Sequence, residues 1–413
     1  MATYYVTTTG NDTNDGTAID AAHAWRTIQH AADTMIAGDT VNISAGAYGE
    51  LVTMSTSGTE ANPITFTGPV TATTTRFVTS GADWIVVDGL GFGPGAGGVY
   101  GSVHLDGDHS TLKNFLIDNL TTDGRIGVWV DGDYNTISDG EIKNMFATCI
   151  YVNSGNHNLV TRNLIHDLRS CDVFRCWGTY NTFSYNETHT AIYYVIEEHP
   201  DCFQVFSFDA TTVANNIVFD GNYWHDMDMQ AFYMSNSHAS PDIHDITFRN
   251  NIWANITMQG QVVATPNMKF HNNLFYKVGQ GTYDGMAIDI QSGSTTPEVI
   301  NNIFLECGND TSDPVKGWYT MAESGTKLNS YVGGASFAAK TITETGVVNG
   351  GDPKFRNLSG LDFHLLTGSP LIDVGDTIAS FATDKDSIAR PQDAAWDIGP
   401  YEYFANPWVM IYG

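Results

Sequence analysis

Three consecutive stretches decide the fold: Tyr134-Asn135-Thr136-Ile137 leading to Ile150-Tyr151-Val152, His157-Asn158-Leu159-Val160 leading to Phe174-Arg175-Cys176, and Tyr180-Asn181-Thr182-Phe183 leading to Phe203-Gln204-Val205. Each has an Asn beside a turn, a short apolar strand, an Asn or Asp bend and a second alternating strand, repeating at about 23 residues. The second strands align further as Val103-His104-Leu105, Val128-Trp129-Val130, Phe232-Tyr233-Met234 and Ile288-Asp289-Ile290. Period-two alternation sends the outer two residues of each triplet inward and the middle one to solvent. A unit this short cannot bury a face alone, so stacked units must share one core. The expected fold is all-β, a parallel β-solenoid with coils about 4.8 Å apart. Asn135, Asn158, Asn181 and Asn216 are expected to stack along its axis. A β-propeller blade needs about 40–45 residues, so the spacing favours the solenoid.

The ends of a solenoid need covers. Residues 25–35, with Ile28, Ala31, Ala32 and Met35 on one face, predict a short amphipathic helix where an N-terminal cap belongs. The expected division is one domain over 1–404, with a cap at 1–50, coils at 51–345 and a closing segment at 346–404, then a tail at 405–413. The start Met1-Ala2-Thr3-Tyr4-Tyr5 does not read as a signal peptide.

Composition narrows the partners. Of the 413 residues, 46 are acidic and 18 basic, a net charge of −28, which disfavours nucleic acid because phosphate contacts need clustered Lys and Arg. The 42% hydrophobic content suffices for a core. No apolar run reaches the roughly 18–20 residues of a membrane helix. The five cysteines (Cys149, Cys171, Cys176, Cys202, Cys307) contain no C-x-x-C pair, against both a zinc site and a disulfide framework.

The N-terminal run Tyr4-Tyr5-Val6, Gly10-Asn11-Asp12-Thr13-Asn14-Asp15-Gly16-Thr17, Trp25-Arg26-Thr27-Ile28 and Gly38-Asp39-Thr40-Val41 resembles the opening of right-handed parallel β-helix proteins of the pectate-lyase-like superfamily. Asp352-Pro353-Lys354-Phe355, Asp362-Phe363-His364-Leu365, Gly368-Ser369-Pro370-Leu371 and Asp397-Ile398-Gly399-Pro400-Tyr401 resemble the closing segment of its secreted members. The two stretches cover about a quarter of the chain. The resemblance implies a right-handed β-helix, and a protein that cleaves or binds polysaccharide, extracellular or virion-associated, as monomer or homotrimer. Substrate stays open, since one fold hosts many functions.

Insertions on one face mark where a solenoid works. From turn Asn to strand centre the spacing is 15 or 16 residues for three coils but 22 in the coil running from Asn181 to Phe203. Leaving the strand it is 6 and 5 after Val152 and Cys176, but 11 after both Val205 and Met234. The expected cleft is floored by the outward column His104, Trp129, Tyr151, Arg175, Gln204, Tyr233 and Asp289, with Asp106, Asp131, Asn153, Trp177 and Phe206 following. Rings interleaved with polar groups suit a sugar chain, so Trp129, Tyr151, Trp177, Tyr233 and Phe206 are expected to bind substrate, with Glu197, Glu198 and Asp228 on the walls.

At the strand entrance Asp172 aligns with Asp201 of the next coil, roughly 5 Å away as in retaining glycosidases. Like charges so close push one carboxyl group toward general-acid duty, while Arg175 would hold the other as carboxylate. The expected catalytic set is Asp201, Asp172, Arg175, His199 and Gln204. The plain alternative is that both Asp residues cap turns. No metal is required by this reading, although Ca²⁺ would suit the acids; the loop 11–16 lacks EF-hand spacing and reads as a turn.

Lyases of the resembled family use Lys or Arg as base against uronic acids. No Lys occurs between Lys143 and Lys269, and the net charge repels a polyanion. Hydrolysis of a neutral or weakly charged glycan by an Asp pair is therefore the expected activity. Elimination with Arg175, His199 or Tyr233 as base, or sugar binding without catalysis, are the alternatives.

Overall fold

The computed structural model describes residues 1–93, 101–119, 126–192, 200–209, 211–236, 242–280, 286–308, 319–321, 326–328, 331–333, 348–349 and 351–404. The chain divides into two compact units, residues 1–205 and 206–413. Each is a right-handed parallel β-helix.

In the first unit, one strand per coil builds a parallel sheet in chain order: Thr3–Val6, Thr40–Ile43, Ile64–Thr67, Ile85–Asp88, Thr111–Lys113, Thr136–Ser138, Leu159–Thr161 and Thr182–Ser184. A second stack runs Arg76–Val78, Val103–Leu105, Val128–Val130, Ile150–Val152, Phe174–Cys176 and then Phe203–Phe206, whose residues Phe203 and Gln204 pair with Phe174 and Arg175. A third carries Leu116–Asp118, Glu141–Lys143, Leu164–Arg169 and Glu187–Ile192. The alternation read from sequence holds on the inner side. Val103, Val128, Ile150, Phe174 and Phe203 form one buried apolar column, and Leu105, Val130, Val152, Cys176 and Val205 another.

Buried turns in such a stack leave backbone N–H groups that need acceptors. Asn side chains supply them: Ser110 N–H donates to Asn135 Oδ1 at 2.7 Å, Asn135 N–H to Asn158 Oδ1 at 2.7 Å and Asn158 N–H to Asn181 Oδ1 at 2.8 Å. The expectation for Asn216 is corrected. Its φ is 53°, and its side chain donates to Asn215 within one strand. A second ladder, at the turn before the third strand of each coil, runs through Asn163 and Asn186 in the first unit and through Asn222, Asn251, Asn273 and Asn302 in the second, at 2.9–3.0 Å.

The N-terminal helix is Ile28–Thr34, starting later than its apolar pattern suggests. Thr27 is the N-cap, its hydroxyl accepting from His30 N–H at 3.1 Å. Asp12 accepts from the N–H groups of Arg26 and Thr27 and from the Thr27 hydroxyl, so the acidic loop ties down the helix start.

The second unit has longer strands. Tyr223–Ser235 and Ile252–Val263 pair in parallel with a shift between Met227 and Gln230. Inside, Trp224, Trp253, Phe275 and Phe304 stack ring on ring at 4.7, 4.7 and 5.1 Å. The closing segment opens with an antiparallel pair, Phe355–Asn357 and Asp362–Leu365. Phe355, Phe363, Leu365, Leu371, Ile398 and Tyr401 pack on Ile252, Leu274, Tyr276 and Ile303 of the coils. No helix among the described residues is long and apolar enough to cross a membrane. All five cysteines are buried free thiols.

Candidate active site

Parallel register fixes which outward side chains meet. His104 pairs with Trp129, Trp129 with Tyr151, Tyr151 with Arg175 and Arg175 with Gln204. The rings pack edge to face, Trp129 against Tyr151 at 4.6 Å and Tyr151 against Trp177 at 5.0 Å.

Asp131 is the hub of this strip. Its Oδ2 receives Trp129 Nε1–H at 2.9 Å and lies 2.8 Å from His104 Nε2. Its Oδ1 accepts from Asn153 Nδ2 at 2.8 Å and from the Ser154 hydroxyl at 3.3 Å. Asn153 Oδ1 in turn receives the Tyr151 hydroxyl at 2.6 Å. Burial pushes the Asp131 pKa up, but the bonds from His104, Asn153 and Trp129 outweigh it and bring it down to about 2. A carboxylate so saturated is an orienting anion and not a proton donor. Its place in the outward column was legible in the sequence; the convergence of four donors was not, because they come from three coils.

The second cluster contains the paired carboxyl groups. Asp172 Oδ1 accepts the Asp201 backbone N–H at 2.8 Å, while Arg175 Nε and Nη2 reach Asp172 Oδ2 at 2.6 and 2.5 Å. Gln204 Nε2 donates to Asp201 Oδ2 at 2.7 Å. Asp201 is 0% exposed, and among the described residues its Oδ1 has no hydrogen-bond partner, nor has Gln204 Oε1. Burial, followed by the charge of Asp172, pushes the Asp201 pKa well above the ordinary carboxylate range, with only partial relief from Gln204 and Arg175. A proton on Asp201 Oδ1 would turn an orphaned acceptor into a donor. Asp172 thus holds the turn before the next strand, and the two carboxyl groups sit in different surroundings, one bound by Arg175 and the other buried against Gln204.

The open-groove reading is corrected for three residues. His104 is 8% exposed and bound to Asp131. Gln204 is 6% exposed, drawn onto Asp201, and Trp177 is 4% exposed beside Tyr151. Trp129, Tyr151 and Arg175 are partly exposed, the Arg175 side chain at 36%. Glu197, Glu198 and His199 lie outside the described residues.

Phe206, Asp228 and Tyr233 belong to the second unit. There Phe206 meets Phe208 edge to face at 5.0 Å, Asp228 is exposed and accepts from the Thr257 hydroxyl at 2.7 Å, and Tyr233 is half-buried in register with Gln261. Among the described residues no group of three or more His, Cys, Asp or Glu is arranged to hold a metal ion.

No family model matches the chain, and neither does any curated protein. Solved structures do. Pectate lyase Pel9A superposes with a TM-score of 0.50 at 15% identity over 98% of this chain and 97% of that one. XylC in complex with xylose gives 0.50 at 11%, covering 97% and 98%. The GH136 lacto-N-biosidase from Eubacterium ramulus gives 0.50 at 12%, covering 78% and 68%. Identities this low carry fold alone, and for the fold the pectate-lyase-like resemblance holds.

Proposed function

We propose that this protein is a polysaccharide-cleaving enzyme that hydrolyses glycosidic bonds on the outward strip of its first unit. One observation carries the reading: two adjacent carboxyl groups, Asp172 and Asp201, sit in environments that separate their roles. Asp172 faces a guanidinium, whereas Asp201 is buried with an oxygen that has no partner among the described residues. Environments that push two carboxyl groups apart assign acid and base. Asp201 Oδ1 gives its proton to the leaving-group oxygen as the glycosidic C–O bond breaks, the Asp172 carboxylate faces the positive charge that develops on the sugar ring, and a water molecule adds its oxygen to the ring carbon and returns its proton to Asp201. Trp129 and Tyr151 offer ring surface to the glycan, and the Asp131 hub fixes their angles. Because Asp201 is enclosed, the reading requires that seating the glycan opens the Oδ1 side. Solved neighbours of this fold include both a lyase and a lacto-N-biosidase, which is compatible with glycan cleavage on such a face.

A second reading is elimination on a uronic-acid glycan, favoured by Arg175, a partly exposed cation in register with Tyr151. One assay separates the two. Neutral and uronic-acid polysaccharides are incubated with the protein, and both reducing ends and the ultraviolet absorbance of unsaturated ends are followed. Reducing ends alone support hydrolysis. Both signals together replace it by elimination. Binding with neither signal ends the enzymatic reading and leaves a glycan-binding protein.

A further inference from the structure

The closing segment of the second unit holds charged groups that neither reading above uses. Arg390 and Glu402 form an ion pair with side chains 0% and 1% exposed, Nη1 to Oε1 at 2.5 Å. Two more buried carboxyl groups face the same guanidinium, Asp384 and Asp397. Asp397 accepts from Asp373 N–H at 2.8 Å and from Tyr403 N–H at 2.5 Å. Asp384 accepts from the N–H groups of Ile388, Asp386 and Glu402 at 2.8–2.9 Å. Beside them His364 is held at both ring nitrogens, by Asp362 Oδ1 at 2.6 Å and Asp386 Oδ2 at 2.7 Å. Tyr401 stacks on that ring at 3.9 Å, and Arg356 lies 3.1 Å from its Nδ1.

The coils meet this cluster with few charges. Arg390 Nη2 donates to Asn250 Oδ1 at 3.2 Å, Asn272 Nδ2 donates to the Asp397 and Gly399 carbonyls at 2.9 and 3.0 Å, and Asn301 Nδ2 donates to the Asp376 carbonyl at 2.8 Å. Two charged pairs lie on the coil side: Arg249 with Asp220, Arg249 also reaching the Ser380 carbonyl, and His271 with Glu298 at 2.9 Å, its ring 6.5 Å from that of Phe381. Burial brings the His271 pKa down to about 4 against the Glu298 charge, so this one group works against the others in mild acid. Lys385 crosses the other way, to the Gly221 carbonyl. Three enclosed carboxyl groups around one guanidinium are balanced only if protons are taken up, and a histidine between two carboxylates is best held as imidazolium.

We infer that residues 371–404 form a proton-dependent clasp over the apolar outer face of the second unit's coils, closed in mild acid and loosened above neutrality. The sign follows from linkage. Burial, with the Glu402 charge, raises the Asp397 pKa to about 7, and burial raises that of Asp384 to about 6. For His364 burial opposes the charge, yet Asp386 and Asp362 outweigh it and raise the pKa. All three groups bind protons more tightly in the closed form. The stability they lend is complete below their ordinary pKa values and is lost as pH rises through the raised ones. Asp362 runs the other way, its pKa lowered against burial by His364 and Arg356, so the clasp also weakens in strong acid. Release uncovers Phe363, Leu371, Ile398 and the coil residues beneath them.

Hydrogen exchange on the full chain tests this. Corrected for intrinsic rates, peptides from 371–404 should lose protection by on the order of tenfold or more between about pH 5 and about pH 8, a one-unit pKa difference being worth tenfold. Peptides from the coils of the first unit at 136–161 should not change. Asp397→Asn, which is neutral at every pH, should flatten the response, and His364→Gln should narrow it. Equal protection at both pH values overturns the clasp. So does parallel loss in the coil peptides, or an unaltered response in a folded Asp397→Asn. The wild-type measurement decides the matter alone if the variants do not fold.

Discussion

Arg175 gives both its Nε and its Nη2 to a single oxygen of Asp172, at 2.6 and 2.5 Å, and so leaves the other oxygen for the Asp201 backbone N–H at 2.8 Å. One carboxylate thus joins an outward cation to the entrance of the next coil. A polar link of this kind couples the strip to the solenoid's own turn, so changes at Arg175 should be felt in stability as well as activity.

Arg175→Met leaves Asp172 enclosed without its cation. Removing one partner of a fully buried pair costs about 3–5 kcal/mol, and with Arg175 partly in water we expect about 2 kcal/mol. Adding Asp172→Asn should recover part of the loss, because no unpaired charge then remains. Urea unfolding midpoints measure both, and a midpoint unmoved by Arg175→Met would show that the pair contributes nothing.

Asp201→Asn should behave differently. If Asp201 is already neutral, the amide replaces an uncharged group of the same shape, so the melting temperature should stay near that of the wild type. Turnover should fall by about 10²–10⁴, the usual contribution of a positioned proton donor, with KM little changed. The raised pKa places the loss of wild-type activity on the alkaline side, where the proton leaves. A destabilised but fully active variant would assign Asp201 to the turn alone.

Asp131 has the opposite sign. Its pKa is held near 2, so the carboxylate stabilises the fold above the ordinary value of 3.8, and that contribution fades as pH falls toward 2. Asp131→Asn should cost about 1–2 kcal/mol at about pH 6 and much less at about pH 2.5. Trp129 fluorescence should shift and glycan affinity weaken, since a single amide oxygen must then serve donors that two carboxylate oxygens now share. An equal cost at both pH values would show that shape, and not charge, is what the site uses.

The inner face of the solenoid was legible because it is a period-two pattern of single residues: Val128 and Val130 go in, Trp129 goes out. Register then followed, and with it the neighbours Tyr151, Arg175 and Gln204. Burial of outward residues was not legible. Gln204 turns away from solvent because an amide hydrogen finds Asp201, three positions away in the chain, and no alternation rule reports such a bond. The Asp131 hub escaped for a related reason, its donors lying 2 to 27 residues distant. Asn216 shows the converse: an Asn near a turn in the sequence lies inside the strand Val213–Asp220 and bonds to its neighbour Asn215, so the residue type alone does not make a ladder member.

That last difference gives a sharp comparison between two asparagines. Asn158 Oδ1 is the acceptor for the buried Asn135 N–H at 2.7 Å. Asn158→Ala therefore strands a donor inside the stack, and an unsatisfied buried amide costs about 1–3 kcal/mol. Asn216 sits at φ 53° and bonds within its own strand to Asn215 at 2.9 Å. Glycine adopts that backbone conformation without a Cβ penalty, so Asn216→Gly should lie within about 0.5 kcal/mol of wild type, as surface changes usually do. Chemical denaturation of the two variants measures the contrast. Equal losses would mean that Asn216 carries a ladder bond after all, whereas no loss at Asn158 would mean that the coils stack without their side-chain ladder.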